Sequence, residues 1–154
     1  MDMLFAMKIS RSIAFALTLL ASASAWAVDF RTVGAAPAIL YDAPSAKAGK
    51  QFIIPRGTPL EVVLTYGEWV KVRDMDGGLA WTEAKGLSAK QRNVIVRNAN
   101  TKVRAAADDA SNIVFTADKG VLLELAEPAG NGWTKVRHRD GTSGYVRSAD
   151  IWGL

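Results

Sequence analysis

The chain has 154 residues, with 19 Lys and Arg against 15 Asp and Glu, a formal net charge of +4 with its single histidine neutral. That mild excess, with both signs interspersed, permits weak attraction to an anionic surface but is far from the concentrated basic stripe of a nucleic-acid-binding protein. There is no cysteine, which excludes disulfides, thiol chemistry and a lipoprotein attachment site.

The first predicted element is a leader over residues 1–27. Lys8 and Arg11 form a short basic region, and "IAFALTLLASASAWA" (Ile13–Ala27) is apolar and then small. Ala25-Trp26-Ala27 fits the small-x-small rule for signal peptidase, so cleavage is expected after Ala27, with a mature chain starting at Val28. The alternative is an uncleaved anchor, but an apolar run of about 15 residues is shorter than the roughly 20 needed to span a bilayer. Met7 alone would begin a well-formed signal, leaving "MDMLFA" as an upstream extension. Export without disulfides fits a periplasmic or secreted bacterial protein with no stable membrane anchor after cleavage.

From residue 28 on, the chain says the same thing twice. "EWVKVRDMDGGLAWT" (Glu68–Thr82) and "GWTKVRHRDGTSGYV" (Gly132–Val146) align, with Trp69 on Trp133, Lys71 on Lys135, Arg73 on Arg137, Gly77 on Gly141 and Trp81 on Tyr145. Upstream, "FIIPRGTPLEVV" (Phe52–Val63) aligns with "FTADKGVLLELA" (Phe115–Ala126), and "ILYDAPSAKAG" (Ile39–Gly49) with "KVRAAADDASN" (Lys102–Asn112). The offset grows by one residue between "TYGE" and "PAGNG", as a loop tolerates and a strand does not. A repeat of this length means two similar units in tandem. They are placed at 28–87 and 93–154, with the polar join "SAKQR" at 88–92.

Each unit reads as short strands broken by turns. "LEVVL" and "VLLELA" are apolar runs. "WVKVR" alternates, placing Val70 and Val72 on one face and Trp69, Lys71 and Arg73 on the other. Asp76-Gly77 and Asp140-Gly141 are hairpin signals, because glycine accepts the positive φ of a tight turn. No window outside the leader sustains a helical period. The expected fold class is all-β, two tandem small antiparallel barrels of about five strands each. A unit of this size is marginal alone, so the two are expected to pack on each other rather than move as independent beads.

These residues resemble the bacterial SH3-like (SH3b) domains, as a tandem pair. The second unit carries "KVRAAADDAS", "DKGVLLEL" and "GWTKVRHRDGTSGYV"; the first carries "LYDAPS", "PRGTPLEVV", "EWVKVR" and "LAWT". The resemblance implies two SH3-like barrels and a recognition role, with the cell wall as the expected environment. "ILYDAP" is also similar to the Ala-Leu-Tyr-Asp-Tyr stretch of eukaryotic SH3 domains, which implies that Tyr41 and Trp69 line one wall of a groove. The second unit departs from this with Arg104 at the Tyr41 position, and the first has Ala43 and Pro44 where the second aromatic would stand.

Catalytic chemistry finds no purchase. A metal site or a Ser/His/Asp triad would rest on His138, which sits between Arg137 and Arg139 at a hairpin tip without an orienting partner or nucleophile motif. No phosphate-cradling glycine loop precedes a helix. No metal, cofactor or enzymatic activity is expected. What remains is Trp69 and Trp133, each sharing a face with Lys and Arg. An open aromatic flanked by cations suits peptides, glycans or acidic groups; equally, such residues can cover a barrel flank or the junction between units. The candidate ligand-binding residues are Tyr41, Trp69, Lys71, Arg73, Arg104, Trp133, Lys135 and Arg137. The expected function is an exported, non-enzymatic binding module for a peptidoglycan peptide or glycan, or else a structural or assembly accessory that binds a periplasmic protein.

Overall fold

A computed structural model describes residues 27–128 and 130–154. Apart from Ala27, the expected leader lies outside them. The first sheet contains β1 (Asp29–Val33), β2 (Ala38–Tyr41), β3 (Lys50–Ile54), β4 (Pro59–Tyr66), β5 (Trp69–Arg73), β6 (Leu79–Glu83) and β7 (Leu87–Ser88), in the order β3-β2-β6-β5-β4-β1-β7. The second contains β8 (Asn93–Val96), β9 (Thr101–Arg104), β10 (Ile113–Ala117), β11 (Leu122–Glu127), β12 (Trp133–Arg137), β13 (Ser143–Arg147) and β14 (Ile151–Trp152), in the order β10-β9-β13-β12-β11-β8-β14. The two orders are the same topology, and every neighbouring pair is antiparallel. A single 3-10 turn precedes the last strand of each sheet: η1 (Ala84–Gly86) and η2 (Ser148–Asp150). Among the described residues no helix is long and apolar enough to cross a membrane.

Seven strands per unit exceed the expected five. One addition in each unit is a piece too short to carry a periodic pattern. β7 and β14 have two residues each, and β7 takes Ser88 out of the polar join.

Alternation builds each core. Val70 and Val72 of β5 turn inward, as expected, with Val33, Leu40, Leu60 and Ala80. Val136 of β12 turns inward with Val96, Val103, Leu123 and Val146. Repeat partners fill equivalent places: Leu60 and Leu123, Val33 and Val96, Leu40 and Val103, Val72 and Val136. Two buried threonines are satisfied: the Thr82 hydroxyl donates to the Ile39 carbonyl at 2.9 Å, and Thr134 shares a 2.7 Å hydrogen bond with Ser148, whereas the buried Asn93 Oδ1 has no partner among the described residues. The Asp-Gly turns adopt the expected geometry, with φ of +89° at Gly77 and +91° at Gly141. Gly144 answers a different need: a Cβ there would stand 2.6 Å from the Arg104 carbonyl oxygen, so only glycine lets β13 approach β9 this closely.

The units do pack on each other. Phe30 meets Trp152 edge to face at 4.8 Å between centroids. The Asn93 side-chain amide donates to the Gly57 carbonyl at 2.8 Å, and its backbone N–H to the Thr32 hydroxyl at 3.3 Å. Lys119 of the second unit reaches Asp76, at the tip of the first unit's hairpin, at 3.7 Å.

Among the described residues the outer strands β3 and β10 each pair on one side only. β3 displays Phe52 and Ile53, the latter 73% exposed, and β10 displays Ile113 and Val114.

Candidate functional site

Strand pairing gathers an aromatic face on the first unit. Tyr66 lies opposite Trp69 across β4 and β5, Lys71 opposite Trp81 across β5 and β6, and Trp81 opposite Tyr41 across β6 and β2. Directly opposed residues share a face of the sheet, so these five side chains emerge together. Tyr41 and Trp69 meet edge to face at 5.4 Å, and Tyr66 and Trp81 at 6.5 Å. The Lys71 ammonium lies 5.9 Å from the centre of the Trp81 ring, at the outer reach of a cation–π contact. Among the described residues no carboxylate pairs with Lys71, which leaves its charge available to a ligand.

Access is uneven across this face. Tyr66 is 65% exposed, and Trp69 and Trp81 are half-buried. Tyr41 is buried, which corrects its expected place on the wall of a groove: its ring packs edge to face against Trp69. Trp81 and Tyr66 belong to the face although neither stood among the sequence candidates. The alternation that places Lys71 also places Trp81, its cross-strand partner. Tyr66 ends β4 beside the point where the repeat gains a residue, which hid its alignment.

The second unit has the same frame without the same face. Trp133 is only 5% exposed, so of the two readings open for these tryptophans it takes the covered one, which corrects its place among the ligand-binding candidates. The residue across the strand decides this. Trp133 lies opposite Arg147, whose guanidinium rests over the indole at 4.4 Å and is itself held by Asp109. At the matching place Trp69 lies opposite Glu83, which pairs with Lys85 instead at 3.0 Å. Arg104 donates from Nη1 to the Ser111 carbonyl at 2.8 Å, which ties this half-buried side chain to its own loop.

The remaining candidate cations are partly neutralised. Arg73 Nη1 donates to both Glu61 oxygens at 2.9 and 3.0 Å. The repeat of that pair, Arg137 with Glu124, is looser at 3.6 Å, and Lys135 sits 3.7 Å from Glu127. Among the described residues no three His, Asp or Glu side chains gather as metal ligands would.

A family model described as the bacterial SH3 domain matches the chain twice, over residues 34–88 and 97–153. The chain belongs to the bacterial SH3 domain family. Members of that family are generally binding modules, which fits a face built from aromatics and a cation rather than from catalytic groups. Among solved structures, the bacterial SH3 pair is similar to NlpC2 from Trichomonas vaginalis, at 10% identity over 80% of this chain and 46% of that one, with a TM-score of 0.37. It is also similar to NlpC1 from the same organism, at 11% identity over 85% of this chain and 48% of that one, with a TM-score of 0.39. The chain thus spans less than half the length of either. No curated protein matches it.

Proposed function

We propose that this chain is an exported, non-enzymatic recognition module whose first unit presents Tyr66, Trp69, Trp81 and Lys71 to a peptide or glycan of the cell wall. The observation that carries this reading is the shared face itself: three at least partly exposed aromatic rings beside a lysine that has no carboxylate partner among the described residues. Rings of this kind stack on sugar faces and on peptide backbones at low entropic cost, and the ammonium adds an anion contact.

Pull-down on purified sacculi tests it. Wild-type protein should be retained, and Trp81→Ala should lower retention about tenfold or more, the loss expected of an aromatic anchor. Trp81→Ala should keep the wild-type strand signature in circular dichroism. Intact-mass measurement of the protein recovered from the periplasm tests export; the expected mass begins at Val28, and a mass retaining Met1 or Met7 would contradict cleavage.

A second reading draws on strand β3, an outer strand with Phe52 and Ile53 exposed. Such an edge can accept an added strand from a partner protein, as an assembly accessory would use it. Failure of wild-type protein to bind sacculi, together with a single crosslinked periplasmic partner, would favour that reading over the wall ligand.

A further inference from the structure

The junction between the units includes two corresponding turn-and-hairpin approaches with opposite electrostatic outcomes. Each unit contributes a turn and a hairpin tip. In one contact the turn at Lys119 meets the first unit's hairpin tip at Asp76, and the charges pair at 3.7 Å. Arg56 is the repeat partner of Lys119, and Asp140 that of Asp76. Among the described residues no ion pair joins those two. Asp140 accepts the Thr142 N–H at 2.8 Å and lies 3.3 Å from His138 Nδ1. Those hydrogen bonds, Thr142 first, hold its carboxyl below the ordinary range, so it stays charged but turned to its own hairpin. Arg56 is left facing Arg137, His138 and Arg139 across a cleft of about 850 Å³.

That cleft has the size of a small-ligand site. Its charged lining is Arg56, Arg137 and Arg139 against the single carboxylate of Glu124, with His138 between the last two arginines. Among the described residues neither Arg56 nor Arg139 has a carboxylate within ion-pair distance. Between the cations runs an apolar wall from the half-buried Val121 and Leu122 of the second unit. The floor is tied across the junction by the Asn93–Gly57 hydrogen bond.

We infer that this inter-unit cleft is a second binding site, for a short acidic peptide segment whose carboxylates meet Arg56 and Arg139 while aliphatic side chains lie on the valine and leucine wall. Guanidinium groups take carboxylates in planar, charge-assisted pairs. The apolar wall and the volume favour a peptide over a small inorganic anion, which would leave most of the cleft to water. The inference stands apart from the aromatic face, since the cleft shares none of its residues.

Isothermal titration of the full chain at low ionic strength provides the test, with acetyl-Leu-Glu-Glu-Leu-amide as probe. Its glutamine analogue and inorganic phosphate serve as comparators. The glutamate peptide should bind saturably at one site and weaken as salt is added. The double variant Arg56→Gln, Arg139→Gln should weaken it about tenfold or more, as the loss of charge-assisted hydrogen bonds requires. Glu124→Gln should tighten it about threefold by freeing Arg137 and removing a like charge from the peptide's path, a gain that misfolding would not produce. Trp81→Ala should leave it unchanged. Absence of saturable binding overturns the inference, as does equal binding of the glutamine analogue or of phosphate, or an unaltered affinity in the double variant. Loss on Trp81→Ala would transfer the peptide to the aromatic face and leave the cleft without a ligand.

Discussion

Trp133→Ala is expected to destabilise the second unit by about 3–5 kcal/mol, the range for removing a large buried aromatic. The ring is buried on strand β12, and the Arg147 guanidinium lies over it. Truncation removes the surface on which Arg147 rests and joins the emptied volume to a neighbouring cavity of about 180 Å³ lined by Asn98, Arg104 and Asp150. Thr134, the next residue, is buried in a hydrogen bond with Ser148, so the strand cannot readily collapse into the space. Thermal unfolding followed by far-ultraviolet circular dichroism measures the effect without depending on tryptophan emission. Trp69→Ala should cost less, because that ring is half-buried and carries no guanidinium over it. Equal losses for the two variants, or a Trp133→Ala protein within about 0.5 kcal/mol of wild type, as for a substitution on an open surface, would refute the packing role assigned to Trp133.

Leu60→Ala should cost about 2–5 kcal/mol, the range for a leucine removed from a core. Leu60 is fully buried among Val33, Leu40, Val70 and Val72. The first unit has a small core, and one leucine is a large share of it. The shape of the melt is as informative as its midpoint. The Phe30–Trp152 contact, the two Asn93 hydrogen bonds and the Lys119–Asp76 pair couple the units. A single transition, shifted as a whole, is therefore expected. Two separate transitions, with only one displaced, would mean that each unit unfolds alone and the junction contributes little.

Much of the fold was legible because it follows from period-two alternation and turn chemistry. Val70, Val72 and Val136 alternate with polar and aromatic neighbours, and Asp-Gly dipeptides mark both hairpins. The repeat itself fixed the correspondence of the two units. The site was less legible, because exposure depends on residues outside the repeated ribbon. Trp69 and Trp133 sit at one aligned position, yet Arg147 covers one ring while Glu83 turns away from the other. Neither neighbour is marked by a pattern along the chain. The inter-unit cleft was not legible at all. Arg56 and Arg139 come from different units, and only the packing of one barrel on the other brings them to a common space.

The outer strands have a consequence for handling the protein. Among the described residues β3 and β10 leave one row of backbone amides and carbonyls without strand partners, and both strands carry bulky apolar side chains in the open. Two molecules meeting edge to edge could continue a sheet from one chain into the next without either unfolding. In a concentrated stock, aggregation would therefore be governed by this edge and not by the melting temperature. A lysine at Ile53, on the open strand, should lengthen shelf life while leaving thermal stability almost untouched.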